Sequence, residues 1–427
     1  MQRTSNLHWA VKRAGVVAAL IAATTQRAVA QDSASASPYS KAVATWIALV
    51  ATPGYERLAG DRVLSATSGW SRDGVGNLVK HVGEGAPTRV VACGLDESDY
   101  AVSSITDDGY LRLHMNGNER HVALWDQYHE GQRVIVYAVE RANPARIRFV
   151  PGVVATRSNH LWRKRVNDQK PATIEDMYVD VGARSKAEVT RMGIDVLDPV
   201  VRDWPEWTFN DYVAGPAAGN RAECEAVAAA AASNNKPATE TVFIIAAQKG
   251  FAWSGLTSAL ARLGHVDSLT IVDAQIGGSR STAHRVSAPW NALGSVDVGS
   301  VQAIGVPTRF PGTLTESVRE TDLIALHRAV SAASGIGPSA TAPVQLAPGW
   351  TAAPPVIIRD SLSKYADVIA KLTEIYALSG FEQPMRDAIQ PLLPAALRDQ
   401  ATVDSAGNLI IAMGPERDTS VFIALRA

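Results

Sequence analysis

Arg89-Val-Val-Ala-Cys-Gly-Leu-Asp-Glu97 is the stretch on which the reading of this chain turns. Val90 to Cys93 are small or β-branched and read as a buried strand; the chain then breaks at Gly94 into the acidic run Asp96, Glu97 and Asp99. Open α/β sheets bind ligands beyond the carboxyl ends of their strands, so this acidic strand end is expected to mark a site. The residues before it fit such a sheet. Tyr39 to Val50 has helical spacing of Val43, Ile47 and Val50, Thr52-Pro53-Gly54-Tyr55-Glu56 has turn chemistry, and Asp73-Gly-Val-Gly-Asn-Leu-Val79 turns into a strand. That predicts a helix followed by two strands.

From Tyr100 to about Val154 the pattern changes to short strands at Ala101 to Ile105, Tyr110 to His114, His121 to Trp125, Gln132 to Val139 and Ile147 to Pro151, which suggests a small barrel or sandwich. Ser185 and Glu188 form a possible capping box, with Gly193 as the C-cap of the short helix between them. After Asp198-Pro199 the α/β alternation resumes: helices at Arg221 to Ser233, Ser254 to Leu263 and Glu316 to Ala333, and strands at Thr241 to Ala247, Ser268 to Asp273 and Val301 to Phe310. The predicted fold class is therefore α/β, a mostly parallel sheet covered by helices and interrupted by a small β-barrel-like domain. Residues 39–98 and 199–333 form the α/β domain, residues 99–198 the insert, and 334–355, rich in Ser, Gly, Pro and Ala, a linker.

A chain of 427 residues, 46% hydrophobic and 19% charged, can bury a large core. Its formal charge of -1 gives no footprint for nucleic acid and no polybasic surface for lipid, so a small molecule or peptide is the better ligand class. Residues 1–30 have the plan of a cleaved signal peptide: Arg3, Lys12 and Arg13 precede the apolar run Ala14 to Ile21, and Ala28-Val29-Ala30 matches a signal-peptidase site. A periplasmic or secreted protein with no membrane segment after cleavage is expected, joined to the fold by a linker at 31–38. Cys93 and Cys224 are the only cysteines. Export permits a bridge between them, although two buried small side chains is the plainer reading.

The end of the chain echoes its beginning. Leu372-Thr-Glu-Ile-Tyr-Ala-Leu-Ser-Gly-Phe-Glu382 repeats the pattern of Trp46-Ile-Ala-Leu-Val-Ala-Thr-Pro-Gly-Tyr-Glu56; Asp404-Ser-Ala-Gly-Asn-Leu-Ile410 repeats Asp73 to Val79, and Ser420 to Leu425 stands where Val90 to Cys93 stood. Residues 356–427 thus read as the truncated opening of a second copy of the unit.

In this order the motifs resemble metallopeptidase family forty-two, the dinuclear-zinc glutamyl and deblocking aminopeptidases that form tetrahedral assemblies. The residues carrying the resemblance are Gly54-Tyr55-Glu56, Asp73 with Gly76-Asn77-Leu78, Leu95-Asp96-Glu97, Asp108-Gly109-Tyr110, Trp125-Asp126, Val179-Asp180 to Lys186, Asp198-Pro199-Val200 and Val306-Pro307-Thr308-Arg309-Phe310. The resemblance implies a peptidase sheet domain, a β-rich dimerisation insert, zinc as the family's metal and a homo-oligomer. Its catalytic residues mostly fail to carry over. Gly94 stands where the resemblance implies a histidine ligand, Gly219 at the bridging aspartate, Lys249 at the general-base glutamate, Gly250 at the next glutamate ligand and Gly312 at the last histidine. Asp273 is the one ligand position retained, and Asp96, which would orient the missing histidine from behind, has lost its client.

Two zinc ions about 3.5 to 4 Å apart need a shared carboxylate and further nitrogen and carboxylate ligands, which one aspartate does not supply. The leading expectation is an exported homologue whose first unit is non-catalytic and serves assembly, peptide binding or regulation, with no metal of its own. The alternative is an active metallo-aminopeptidase whose site lies in a second unit beyond residue 427. Hydrolysis through Asp96, Glu97, Asp99 and Asp273 with another metal is a third possibility. His265 and His284 are weaker candidates as substitute ligands, as are His114, His121 and His129, which read better as exposed strand residues. Lys249 as a Schiff-base lysine is weaker than a solvated loop lysine, Gly277-Gly278 is too little for a nucleotide, and Trp125, Trp162, Trp204, Trp207, Trp253 and Trp290 are more simply packing residues than a cleft lining. Export predicts a mature chain beginning at Gln31, which N-terminal sequencing of the secreted protein checks; an intact Met1 terminus contradicts it.

Overall fold

A computed structural model describes residues 37–97, 99–117, 125–143, 146–156, 171–203, 206–274, 296–347 and 363–414. The signal peptide, most of the first linker, His121, His284, Trp162, Trp204, Trp290, Gly277-Gly278 and Ser420 to Leu425 lie outside the described residues. The chain divides into two compact units, with the boundary between Ala353 and Pro354.

The first unit opens with helices α1 (Pro38–Ile47) and α2 (Arg57–Ala66), then strands β1 (Ser71–Arg72), β2 (Leu78–Val82) and β3 (Arg89–Gly94). Next come β4 (Asp99–Ile105), β5 (Leu111–Asn116), β6 (Arg133–Val139), β7 (Ile147–Thr156), β8 (Met177–Asp180), helix α3 (Lys186–Met192) and β9 (Pro199–Arg202). The chain returns through β10 (Trp207–Phe209), β11 (Tyr212–Ala214), α4 (Ala218–Ala231), β12 (Thr241–Ala246), α5 (Ser254–Leu263), β13 (Val266–Val272), β14 (Val298–Ile304), β15 (Thr308–Arg309), β16 (Ser317–Arg319) and α6 (Glu320–Ala333).

The main sheet runs β1-β2-β12-β3-β13-β14, parallel from β12 to β14 with an antiparallel edge at β2 and β1. The pleat sends Val91 and Cys93 to one face and Val90 and Ala92 to the other. The first face is covered by Trp46 of α1, Val227 of α4 and Leu326 of α6, the second by Leu256 and Leu260 of α5. Each such side chain contributes about 1.5–3 kcal/mol by leaving water. α4 is half alanine and fully buried along most of its length, so it lies close against the sheet with α1 and α6 against it.

The insert is a closed barrel, β4-β5-β8-β7-β6-β9, filled by Tyr100, Val102, Val136, Met177 and Val200. It extends to Arg202 instead of ending at residue 198, because β9 pairs with both β4 and β6 and closes the ring. Ser185 caps α3 by accepting the Glu188 N–H, and Gly193 ends it in the left-handed region with φ 91°. The Glu188 carboxylate reaches back to the Arg184 N–H, one residue earlier than a full capping box requires.

Four sequence expectations need correction. α2 escaped the pattern because its buried residues are Ala59, Gly60 and Val63, too small to show as an apolar stripe. Val301 to Phe310 is not one strand: β14 ends at Ile304, and β15 joins a separate small antiparallel sheet, β10-β11-β16-β15. The first part of the linker is anchored to the unit, since the Val344 carbonyl accepts Trp46 Nε1 at 2.8 Å, the Val344 N–H meets Glu225 at 2.6 Å, and Leu346 is buried. Finally, Cys93 and Cys224 are bonded, tying the end of β3 to α4 with Cα atoms 5.4 Å apart.

Barrel and sheet are joined by buried charge. Arg202 of β9 meets Glu97 at 3.1 Å and Asp99 at 3.4 Å, and Arg221 of α4 meets Glu97 at 3.2 Å. Arg221 also donates to the carbonyls of Leu49 and Leu95, so one fully buried guanidinium holds the loops after α1 and β3 together. Burial pushes the Asp99 carboxyl up to about 7, a shift that Glu97 reinforces and Arg202 and Arg221 oppose.

In the second unit α7 (Ser363–Thr373), α8 (Gln383–Ile389) and α9 (Ala395–Arg398) precede the hairpin β17 (Ala401–Val403) and β18 (Leu409–Ile411). None of its described residues is buried: Ile369 is 61% exposed and Phe381 72%. The Asp404 carboxylate accepts the N–H groups of Ala406 and Asn408 and the Asn408 side-chain amide, as Asp73 accepts those of Val75, Asn77 and the Asn77 amide. Glu382 likewise accepts the Gly380 N–H as Glu56 accepts that of Gly54.

Replacing Cys224 with alanine, or reducing the bridge, is expected to lower stability by about 2–5 kcal/mol in denaturant unfolding. Asp99 has a folded pKa above its unfolded value, so its contribution is full below about pH 4 and is lost as pH rises through about 7. The stability of wild type relative to Asp99→Asn should therefore fall between pH 4 and 7, and a difference independent of pH would contradict this.

Candidate functional site

β12 pairs with β3 from Thr241 with Arg89 to Ala246 with Gly94, so the two strands end level. β13 lies on the other side of β3 with Ile271 opposite Ala92; the same register two residues on puts Asp273 opposite Gly94. The sheet thus brings Gly94, Asp96, Lys249, Gly250 and Asp273 to one corner.

The loop after β12 is unusual backbone. Gln248, Ala252 and Trp253 all have φ near +57°, where side chains carry a steric cost of about 1–3 kcal/mol each. Three buried acceptors hold it there. Asn77 Oδ1 accepts the Ala247 N–H at 2.9 Å, Glu56 Oε1 accepts that of Gln248 at 2.8 Å, and the two oxygens of Asp96 accept those of Lys249 and Gly250 at 2.7 Å each. Asp96 therefore has a client, a pair of backbone amides.

Held in this way, Lys249 is buried and not solvated, and its stem runs across Gly94. A Cβ on residue 94 would sit 2.5 Å from Lys249 Cδ and 2.8 Å from its Cβ. Lys249 Nζ reaches Asp273 Oδ2 at 3.1 Å, with both side chains almost wholly enclosed. The other glycines differ in their surroundings. At Gly219 a Cβ would meet the Thr308 methyl at 2.5 Å, at Gly250 it would meet Pro53 Cγ at 2.6 Å, and Gly312 has φ 70° with open space beside it.

Two carboxylates not singled out in the sequence complete the corner. Glu223 accepts the Val306 N–H at 3.2 Å, and burial, then the charge of Asp273, raises its pKa well above the usual range against the opposing Lys249. Glu316 accepts the N–H groups of Gly219 and Gly312 at 2.7 Å each, and burial raises its pKa also. The visible signal for Glu223 was its place with Arg221 and Glu225 inside an alanine-rich helix, where charges are buried only when they have partners. Glu225 has one in His327, at 2.7 Å.

These residues do not fit a pair of zinc ions. A zinc site needs several donors about 2.0–2.3 Å from the metal, whereas here Asp273 faces an ammonium and Glu223 and Glu316 take backbone N–H groups. Among the described residues no group of three or more His, Cys, Asp or Glu is placed to hold a metal. Of the other candidates, Glu97 and Asp99 face Arg202 and do not converge with Asp273. His129 is fully buried, not exposed, and packs between Tyr100 and Trp125. His114 is exposed, and His265 pairs at the surface with Asp297 at 3.0 Å. Trp125 and Trp253 are buried, but Trp207 is 62% exposed. A cavity of about 180 Å³ lies elsewhere, between the Tyr55 turn and the barrel at Tyr137 and Ile147.

Residues 76–286 match the M42 glutamyl aminopeptidase family. Among curated proteins the chain is similar to the putative aminopeptidase FrvX of Escherichia coli (strain K12), 27% identical over 169 residues covering 39% of this chain and 43% of the relative. It is also 27% identical to the putative aminopeptidase SgcX of the same organism over 224 residues, 50% of this chain and 56% of the relative. The chain thus spans about half the length of the curated relatives it matches. In fold it resembles aminopeptidase APDkam598 from the archaeon Desulfurococcus kamchatkensis (TM-score 0.55, 20% identity, 71% of this chain and 95% of that one). It also resembles the TET1 peptidase of Pyrococcus horikoshii, which can assemble into a tetrahedron or a large octahedral shell (TM-score 0.52, 18% identity, 66% and 95%).

Gly94→Ala is expected to cost about 1–3 kcal/mol by overpacking against Lys249. Gly74→Ala, with no atom within 4 Å of the added carbon, should stay within about 0.5 kcal/mol of wild type. Equal effects in denaturant unfolding would contradict the close approach.

Proposed function

We propose that the chain is a member of the M42 glutamyl aminopeptidase family whose first unit is exported and non-catalytic and serves assembly through the barrel. The observation that carries this reading is Lys249: at the position of the general base stands a buried cation, its stem filling the room in front of Gly94. A protonated amine cannot take a proton from water as a carboxylate does. Gly94, Gly219, Gly250 and Gly312 offer no side-chain donor at the ligand positions that the resemblance assigns to them. Export is supported by the Cys93–Cys224 bridge, since such bonds persist in oxidising compartments. Assembly is supported by the oligomeric TET1 relative, and peptide binding would fall to the cleft beside Tyr55.

A second reading, aminopeptidase activity in another peptidase-like unit, is favoured by the Asp404 turn, which repeats three of the hydrogen bonds of the Asp73 turn. The experiment that tests the non-catalytic reading of the first unit assays the purified chain on glutamyl and other aminoacyl substrates with and without added zinc, together with its metal content. The expected outcome is a background rate and no stoichiometric zinc; a retained pair of zinc ions with turnover would overturn the non-catalytic reading.

A further inference from the structure

We infer that the Lys249 ammonium is the resident cation of this corner, standing in charge for the metal ions that relatives are expected to hold and making the site a closed ionic core. The inference rests on the family reading proposed above and goes beyond loss of ligands, since it assigns the corner a stabilising role of its own.

Buried carboxylates need a cation, a proton or several N–H donors. The corner contains Asp273, Glu223 and Glu316, each at most 6% exposed. Glu316 is supplied by the amides of Gly219 and Gly312, and Glu223 by that of Val306. Asp273 is supplied by Lys249 Nζ at 3.1 Å.

The geometry leaves Lys249 little freedom to leave. Its own N–H and that of Gly250 are held by Asp96, so the backbone cannot turn the side chain outward. Its stem crosses Gly94 in van der Waals contact, and its ammonium lies 6.0 Å from the ring centre of the buried Trp253. A histidine or any other side chain at residue 94 would collide with that stem. The glycine and the lysine therefore form one substitution in physical terms: losing the side chain at residue 94 makes the path along which the ammonium reaches Asp273.

Removing one partner of a buried ion pair strands the other charge, whereas replacing both with neutral groups of similar size is close to neutral. The test uses the full chain as wild type, Lys249→Met, Asp273→Asn and the double variant, with thermal unfolding followed in zinc and in chelator. Each single variant is expected to lower the midpoint by roughly 6–12 °C and the double variant to recover most of that loss. The wild-type midpoint should be the same in zinc and in chelator. If the losses simply add in the double variant, the resident-cation inference fails while the non-catalytic reading stands. A wild type that retains two zinc ions and gains midpoint from them overturns both. Should neither single variant fold, a cooperative double variant supports the inference and an unfolded one overturns it.

Discussion

The carboxylate of Asp96 accepting two consecutive backbone N–H groups is the interaction on which the rest of this corner depends. A loop with three non-glycine residues at positive φ does not hold itself, and Asp96, with Asn77 and Glu56, supplies the hydrogen bonds that offset its steric cost. The three acceptors come from three different loops, after α1, before β2 and after β3. Because they converge on Ala247 to Gly250, the turns that lead into the sheet also set the direction of the Lys249 side chain, and with it the ion pair to Asp273. The same stretch continues into Glu97 and Asp99, whose contacts with Arg202 and Arg221 fasten the barrel.

Much of this was legible where local pattern decides structure. β3 and β12 are short apolar runs ended by glycine or by a polar turn, α5 matches its expected span, and β4 to β7 of the barrel announce themselves by alternation and spacing, whereas β8 and β9, four residues each, do not. Where the signal is tertiary it was hidden. α2 packs through alanine and glycine, and the short strands β10, β11, β15 and β16 are too brief to show a period. The same holds inside the site. The positions of Gly94, Lys249 and Asp273 could be set side by side by motif order, but the pairing of Lys249 with Asp273 follows from strand register and a left-handed loop, neither of which sequence spacing carries. Glu223 and Glu316 went unremarked because their partners are backbone amides, which carry no side-chain signature, and those of Val306 and Gly219 lie 83 and 97 residues away. The cysteine bridge spans 131 residues and becomes visible only when β3 and α4 are in contact.

The second unit shows how much of an element's conformation is local and how much is borrowed. Its Asp404 turn and its Gly380 turn share their local side-chain hydrogen bonds at Asn408 and Gly380 with their counterparts at Asp73 and Gly54, so that part of the turns is specified by their own residues. Burial does not follow from the same pattern. Val43 of α1 is wholly enclosed by α4 and α6 and the sheet, while Ile369, at the matching place in the repeat, is 61% exposed. Turn geometry is a property of seven residues; a core is a property of layers.

The closure of the barrel has a consequence of its own. The six described strands form a ring with no first and last member, closed between β5 and β8 by the single pair Leu111 and Val179, so among the described residues no strand of the ring is left without a neighbour on either side. A contact built from its outward-facing side chains can be retuned by substitution one residue at a time without disturbing the hydrogen bonds that keep the ring shut.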